Sequence, residues 1–321
     1  MKTLRFVVSL ITDDNDYQRL QASAAQEAAR HLGVELQTLF AGNDAIHQSQ
    51  QLLDVIQARA GGVEGILVEP TGRTAFPKVA QAAVGAGIAW VVINSEPDYL
   101  RELRSKGNVP VFAVGSDNRE IGRIQGRQLS ALLPGGGSVL YIQGPSQSTV
   151  TEQRTAGMLE TKSGNINVRF LKSANWTEEA GFRAAESWLR LSTARQERID
   201  VVQAQNDILA VGARRAIEGQ TGRDHKSNLL FLGVDGLPRT GQAWVRQGVL
   251  TATVIVPPST SDALNYLVAA LKDRVHQAER TLIASESYPE PDQLAAMSAR
   301  RDDAVKDPKR AVDGLPSGRS S

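Results

Sequence analysis

Short apolar runs alternate with longer amphipathic stretches along most of the chain. In the first amphipathic stretch, apolar residues recur every four positions at Leu20, Ala24, Ala28 and Leu32, which is the spacing of one helix face. Gly33 follows, and glycine commonly ends a helix. Apolar runs predict strands at residues 6–9, 34–40, 65–68, 90–93 and 111–114. Strands that alternate with amphipathic helices predict βαβ units and a parallel sheet.

The same alternation begins again after residue 120, so two similar α/β halves lie in series. It predicts strands at residues 139–142, 168–171, 199–202, 229–232 and 250–256. A helix at 264–271, with apolar residues at i, i+3, i+4 and i+7, and a strand at 282–284 exceed what the second half needs. We expect both to cross back to the first half. Residues 291–321 are charged and poor in large apolar residues, which predicts a surface helix followed by a disordered tail.

Charge and cysteine content exclude several classes of function. The chain has 36 Lys and Arg against 35 Asp and Glu, a formal net charge of +1, which gives no argument for nucleic acid or an anionic membrane. It has no cysteine, so disulfides, thiolate metal sites and a Cys nucleophile are excluded. No apolar run approaches the length of a transmembrane helix.

The N-terminal stretch, residues 1–11, is a short apolar run that lacks a small-residue cleavage site and leads into Thr12-Asp13-Asp14. This pattern predicts a first core strand rather than a signal peptide. The chain is therefore expected to be cytoplasmic if it is complete. A chain from which a signal had been removed would have the same sequence.

Motifs of cofactor binding and catalysis are absent from the sequence. There is no phosphate loop, no Gly-x-Gly-x-x-Gly after a strand and no Ser nucleophile elbow, and the four histidines lack metal-ligand spacing. We expect no cofactor, no metal and no catalytic residue. Asp13, Asp14 and Glu69 leave an acid/base pair open, but carboxylates at strand ends more often accept ligand hydrogen bonds or cap helices. An enzyme is the less favoured hypothesis.

Polar residues recur at the carboxyl ends of the predicted strands, where open α/β sheets bind ligands. Arg154 begins a helix after one strand, and Trp176 follows another. Acceptors, one guanidinium and one flat ring suit a hydroxyl-rich ligand, because carboxylates and amides accept hydroxyl protons and an aromatic face stacks on C–H surface. The strand-end residues are Asp13, Asp14, Glu69, Asn94, Asn206 and Asp235.

Each of these residues also has a structural interpretation. Asn206 and Asp207 lie where a strand stops and a helix begins, and both residue types cap helices. We expect Asp207 to cap the helix and Asn206, which has a donor and an acceptor, to face the ligand. Asp235 between glycines also suits a turn, and Trp176 also suits packing.

Seven short motifs, in order, resemble those of type I periplasmic binding proteins of the ribose-binding group, relatives of the effector domains of lactose-repressor-like regulators. The resemblance runs from about residue 4 to about residue 290 and implies two Rossmann-like lobes with parallel sheets that close on a ligand. The motifs are Gly65-Ile66-Leu67-Val68-Glu69-Pro70-Thr71, Gly115-Ser116-Asp117-Asn118, Gln153-Arg154-Thr155-Ala156-Gly157-Met158, Ala204-Gln205-Asn206-Asp207, Gly233-Val234-Asp235-Gly236, Gly248-Val249-Leu250-Thr251-Ala252-Thr253 and Glu286-Ser287-Tyr288-Pro289.

The resemblance implies three crossings between the lobes, near residues 115–116, 256–257 and 284–285. The first lobe would comprise 1–115 and 257–283, and the second 116–256 and 284–290. On the second lobe, the family's binding arginine falls on Arg154, its stacking aromatic on Trp176, its amide on Asn206 and its closing aspartate on Asp235.

The first lobe departs from the ribose binders. Asp16-Tyr17 stands where they have two phenylalanines, Glu69 where they have Asn, Asn94-Ser95 where they have an Asp-Arg pair, and Val256 where they have Gln. The pocket gains an acid and loses a cation, which favours a polyol, an amino sugar or another ligand with a positive group over ribose. The expected ligand contacts are Asp14, Tyr17, Glu69, Asn94, Arg154, Trp176, Asn206 and Asp235.

Two functions follow from the resemblance. The first is a non-catalytic, periplasmic solute-binding protein that hands a sugar, polyol or amino sugar to the membrane subunits of an ABC transporter. The alternative is a cytosolic ligand sensor that acts on a signalling partner. No helix-turn-helix precedes Phe6, so direct DNA binding is disfavoured, and membrane insertion is not expected.

Overall fold

The computed structural model describes residues 3–58, 62–72, 75–191, 198–219 and 229–306. A first run of strands and helices builds one sheet with helices on both faces. Its elements are β1 (Arg5–Leu10), α1 (Asp16–Leu32), β2 (Glu35–Phe40), α2 (Ala45–Gln57), β3 (Val63–Val68), α3 (Pro77–Gly85), β4 (Ala89–Ile93), α4 (Leu100–Lys106) and β5 (Val111–Ser116).

A second run repeats this architecture. Its elements are α5 (Asn118–Leu132), β6 (Gly137–Gln143), α6 (Thr149–Thr161), β7 (Ile166–Lys172), α7 (Glu178–Leu189), β8 (Val201–Ala204), α8 (Asp207–Glu218), β9 (Leu230–Leu232), α9 (Gly241–Arg246) and β10 (Thr253–Ile255). The chain ends, within the described residues, with α10 (Thr260–Lys272), β11 (Arg280–Ile283), β12 (Glu286–Tyr288) and α11 (Pro291–Lys306).

The first sheet has six parallel strands in the order β11-β5-β4-β3-β1-β2. Its central strands are mostly apolar because both faces are covered. Phe6 and Val8 of β1 pack on one face with residues of α1 and α10, whereas Val7 packs on the other with residues of α2 and α3. This burial on both faces explains why β1 reads as a continuous apolar run.

The late elements cross back to the first sheet. Leu264 and Leu267 of α10 join the cluster that contains Phe6, and β11 pairs in parallel with β5, with Leu282 opposite Gly115. The predicted α/β class with two parallel sheets and crossings between them is therefore confirmed. The residues that divide the two lobes stay a prediction.

The second sheet has four parallel strands in the order β7-β6-β8-β9 and is also covered on both faces. Beside it, β10 and β12 form an antiparallel pair, with Val254 opposite Ser287. The helix α11 is anchored on α5, because Leu294 is fully buried and Ser298 Oγ donates a hydrogen bond to the Leu132 carbonyl at 2.9 Å. The tail predicted beyond this helix lies outside the described residues.

The apolar pattern did not indicate α4, α9 and β12. The helices α4 and α9 have 7 and 6 residues, too few to show a repeating apolar face. The strand β12 has three residues, of which only Tyr288 is apolar. Among the helices that the structure describes, none has the length and apolarity needed to cross a membrane.

Candidate functional site

A cavity of about 520 Å³ lies between the carboxyl ends of the two sheets. Both lobes line it, and seven of the eight expected ligand contacts are in its wall. They are Tyr17, Glu69, Asn94, Arg154, Trp176, Asn206 and Asp235.

Asp14 does not lie in the wall that the described residues form. Its side chain is exposed and accepts a hydrogen bond from Asn43 Nδ2 at 3.2 Å. The first turn of α1 instead places Tyr17 and Gln18 in the cavity wall, and Asn15 caps this helix by accepting the Gln18 N–H at 2.9 Å.

The carboxylate of Glu69 is the centre of the first-lobe wall. Glu69 directly follows β3 and is 7% exposed. Gln18 Nε2 donates to one carboxylate oxygen at 2.9 Å, and Asn94 Nδ2 donates to the other at 3.2 Å. The orientation of Gln18 is fixed, because its Oε1 accepts the Ile11 N–H at 3.1 Å. The wall therefore presents a buried carboxylate held by amide donors.

The hydroxyl of Tyr17 is connected to the start of α10 by hydrogen bonds through the side chains of Gln21 and Asn94. Gln21 Nε2 donates to Tyr17 Oη at 3.1 Å, and Gln21 Oε1 accepts the backbone N–H groups of Ser259 and Thr260. Ser259 Oγ donates to Asn94 Oδ1 at 3.0 Å, and Asn94 Nδ2 also reaches Tyr17 Oη at 3.4 Å. The helix that crosses back thus positions the first-lobe wall.

Arg154 is the buried cation of the second-lobe wall. Its Nε donates to Asn118 Oδ1 at 3.1 Å, and its Nη1 donates to the Gln205 carbonyl. The guanidinium carbon lies 5.9 Å from the ring centroid of Trp176. A Cβ on Gly122 would lie 2.1 Å from the Arg154 carbonyl, so this glycine lets α5 approach α6 and brings Asn118 to the guanidinium.

The structure corrects the predicted roles of Asn206 and Asp207. Asn206 is the helix cap, because it keeps an extended backbone and its Oδ1 accepts the Leu209 N–H at 2.8 Å. Its Nδ2 donates to the Trp176 carbonyl at 3.3 Å while the residue lines the cavity. Asp207 is the first helical residue and does not cap α8, so the prediction that Asp207 caps the helix is wrong.

The carboxylate of Asp207 instead supports the loop after β9. It accepts Thr253 Oγ1 at 2.6 Å and the Gly236 N–H at 2.9 Å. Asp235 precedes Gly236 and has φ 112°, in the left-handed region that non-glycine residues seldom adopt. Among the described residues, no group donates a hydrogen bond to the Asp235 carboxylate.

Burial dominates the electrostatics of the cavity. It raises the pKa of Glu69, against the hydrogen bonds from Gln18 and Asn94. It raises the pKa of Asp207 to about 7, and it raises the pKa of Asp235 well above its ordinary value with help from the Asp207 charge. Burial lowers the pKa of Arg154, whereas the charge of Asp235 opposes that change.

Several lining residues were missed by the sequence reasoning. Ser116 is the last residue of β5 and belongs to the Gly115-Ser116-Asp117-Asn118 motif, and its buried Oγ has no partner among the described residues. Asn118, from the same motif, orients Arg154. Gln18 gave no signal, because its role depends on Glu69, which is 51 positions away. Within the parts of the chain covered by the structure, no cluster of His, Asp and Glu is arranged to hold a metal ion.

Two parallel-sheet lobes around a polar cavity define the chain as a two-lobed binding protein with the fold of type I periplasmic binding proteins. The chain belongs to the family described as periplasmic binding protein domain, whose model matches residues 6–274. The family resemblance seen in the sequence is confirmed.

Curated relatives and solved structures agree with this assignment. The chain is 29% identical over 232 residues to a putative rhizopine-binding protein of Rhizobium meliloti, covering 71% of each chain. It is 27% identical over 279 residues to the ribose import binding protein of Escherichia coli (strain K12), covering 87% of this chain and 86% of the other. A galactofuranose-binding protein has the same fold with a TM-score of 0.79 and 22% identity, covering 94% and 99% of the two chains.

Proposed function

We propose that this protein is a non-catalytic solute-binding protein whose two lobes close on a hydroxyl-rich ring, such as a sugar, a polyol or an amino sugar. The observation that carries the proposal is the cavity between the lobes, which combines the Glu69 carboxylate and amides on one wall with Arg154 and Trp176 on the other. Such a wall can hold both the hydroxyl groups and the apolar C–H face of a ring.

Each second-lobe residue has a distinct role in this proposal. The Trp176 ring stacks on the C–H face of the ligand, and Arg154 donates to a ring or hydroxyl oxygen. The Oδ1 of Asn206 is engaged by the helix and one Nδ2 hydrogen by the Trp176 carbonyl, so its other Nδ2 hydrogen is left for the ligand. Asn206 therefore acts as a donor, and Asp235 acts as an acceptor for hydroxyl protons.

Ligand binding stabilises the closed arrangement, because the ligand contacts both lobes at once. Tyr17 and Glu69 belong to the first lobe, whereas Arg154 and Asp235 belong to the second. A ligand that bridges them shifts an open–closed equilibrium toward the closed state.

The names of related proteins support a small cyclic ligand. The relatives are named for ribose, allose, apiose and rhizopine, and one solved structure of the same fold, a myo-inositol-binding protein of Caulobacter, holds myo-inositol at a TM-score of 0.75 and 23% identity. By the same likeness, we propose a periplasmic location and the membrane subunits of an ABC transporter as partners.

Ligand sensing is a second candidate function. A fructose-binding periplasmic domain of a hybrid two-component system has this fold with a TM-score of 0.75. The same closure would then act on a signalling partner rather than a transporter. Deleting the gene separates the two: loss of uptake of the labelled ligand supports delivery, whereas normal uptake with loss of the ligand-dependent response supports sensing.

A thermal-shift screen of sugars, polyols and amino sugars tests ligand binding itself. A ligand that binds only the folded state raises the melting temperature. The hit is then added during small-angle scattering, and we expect the radius of gyration to fall as the lobes close. Failure of every compound to shift the melting temperature, or a shift without compaction, would contradict the proposed function.

A further inference from the structure

The described lining of the cavity contains more carboxylates than cations. Two of its charged side chains, Glu69 and Asp235, are carboxylates, and the third is the guanidinium of Arg154. When all three are ionised, one negative charge is left over. A buried charge without a partner costs free energy, so a ligand of opposite charge gains binding free energy that a neutral ligand does not.

The geometry indicates which carboxylate lacks a cation. Arg154 belongs to the second lobe, and the charge of Asp235 raises its pKa more strongly than that of Glu69 does. Its guanidinium is also engaged by Asn118 and the Gln205 carbonyl. Within the described ranges, no Lys, Arg or His forms an ion pair with Glu69, whose partners are the neutral amides of Gln18 and Asn94.

Glu69 also has room for another hydrogen bond. An ionised carboxylate offers about four acceptor positions, and the amides of Gln18 and Asn94 occupy one on each oxygen. A hydroxyl group donates a single hydrogen bond and leaves the charge uncompensated. A protonated amine donates up to three and neutralises the charge, which makes the hydrogen bond charge-assisted and stronger.

We propose that the site takes a hydroxylated ring that carries one protonated amino group, and that this ammonium pairs with the Glu69 carboxylate. The inference rests on the proposed function, because it names the ligand class of the same cavity. The remaining hydroxyl groups are held by the second-lobe wall. Burial raises the pKa of Glu69, and a bound ammonium would oppose that change and keep the carboxylate ionised.

Calorimetry with matched ligand pairs tests the proposal, at a pH at which the amine is protonated. The pairs are glucose and glucosamine, galactose and galactosamine, and myo-inositol with an inositol in which one hydroxyl is replaced by an amine. For at least one pair we expect the wild type to bind the amine at least about tenfold more tightly, because a charge-assisted hydrogen bond replaces a neutral one.

Two isosteric variants locate that preference. Glu69→Gln should bring the two members of the pair to within about threefold of each other. Asp235→Asn should weaken the binding of both members and leave the preference for the amine in place.

Glu69→Asp, which keeps the charge on a shorter side chain, should retain the preference at reduced affinity. Glu27→Gln, an exposed glutamate on α1, is the matched control and should bind as the wild type does.

The outcomes distinguish this inference from the proposed function. Neutral members that bind as tightly as the amines, or a preference that survives Glu69→Gln, overturn the ammonium assignment and leave sugar binding intact. A preference lost in Asp235→Asn but kept in Glu69→Gln also overturns it. Binding of no member of any pair contradicts the proposed function. A melting temperature is measured for each variant to establish that it is folded. If Glu69→Gln does not fold, the preference of Glu69→Asp for the amine decides whether the charge at this position binds the ammonium.

Discussion

The carboxylate of Asp207 accepts the backbone N–H of Gly236 at 2.9 Å, although the two residues are 29 positions apart. Its other oxygen accepts Thr253 Oγ1 at 2.6 Å. The start of α8, the loop after β9 and the strand β10 are thereby joined at one buried carboxylate. Asp235 immediately precedes Gly236, so Asp207 is a positioning residue for the proposed ligand acceptor.

Removing the Asp207 carboxylate should affect stability and binding together. Asp207→Ala leaves the Gly236 N–H and the Thr253 hydroxyl without their partner, and the loss of a buried hydrogen bond costs about 1–3 kcal/mol. We expect a lower free energy of unfolding in urea and a weaker affinity in calorimetry. Asp207→Asn should restore both, because its Oδ1 can accept from Gly236 while its Nδ2 donates to Thr253 Oγ1. Equal losses in both variants would contradict this role.

The raised pKa of Asp207 predicts a pH dependence of stability. The ordinary pKa is 3.8, and burial raises it to about 7 in the folded protein, against the hydrogen bonds from Thr253 and Gly236 and the charge of Arg154. The folded state therefore binds the proton more tightly, and stability from this group is fully present below pH 3.8 and is lost as the pH rises through about 7.

Urea unfolding of the wild type and of Asp207→Asn between pH 4.5 and 7.5 tests whether stability falls as the pH rises. The free energy of unfolding of the wild type should fall more steeply with rising pH than that of the variant, because the amide does not titrate. A difference between the two proteins that is constant across this pH range would contradict the prediction.

Substitutions of Asn206 should separate its structural role from its proposed ligand contact. Asn206→Ala removes both the cap of α8 and the amide donor, so we expect a loss of about 1 kcal/mol of stability together with a loss of affinity. Asn206→Ser keeps a capping oxygen but lacks the amide N–H. It should melt close to the wild type while binding the ligand weakly, as measured by thermal unfolding and calorimetry. Wild-type affinity in Asn206→Ser would argue against the donor role.

Gly144 sets the position of Trp176 without lining the cavity itself. A Cβ on this residue would lie 2.1 Å from Trp176 Cη2, so Gly144→Ala must displace the indole ring. We expect a changed tryptophan fluorescence and a loss of ligand affinity of about two- to tenfold, which corresponds to one aromatic contact of about 0.5–1.5 kcal/mol. Gly164→Ala, at a glycine with open space around it, is the matched control. Unchanged affinity in Gly144→Ala would contradict the stacking role of Trp176.

The apolar pattern predicted most of the long elements, because period and burial are local properties of a strand or helix. The apolar run that begins at Phe6 and the helical spacing that begins at Leu264 placed β1 and α10 correctly, and the excess of late elements indicated the crossing back to the first sheet. The short helices α4 and α9 were missed, since fewer than eight residues cannot display a full amphipathic helix face. The strand β12 was missed because only Tyr288 of its three residues is apolar.

For the candidate site, the apolar pattern was enough to show which polar residues follow the strands. Parallel strands bring their carboxyl ends to one edge of a sheet, so these residues meet there. Glu69, Asn94 and Asn206 reach the cavity wall for that reason. The hydrogen-bond partners of each side chain depend instead on how the whole chain packs. Asp207 supports the Gly236 loop rather than capping its helix, and Glu69 is held by Gln18 and Asn94, because these partners come from elements far apart in the chain that packing alone brings within hydrogen-bond distance.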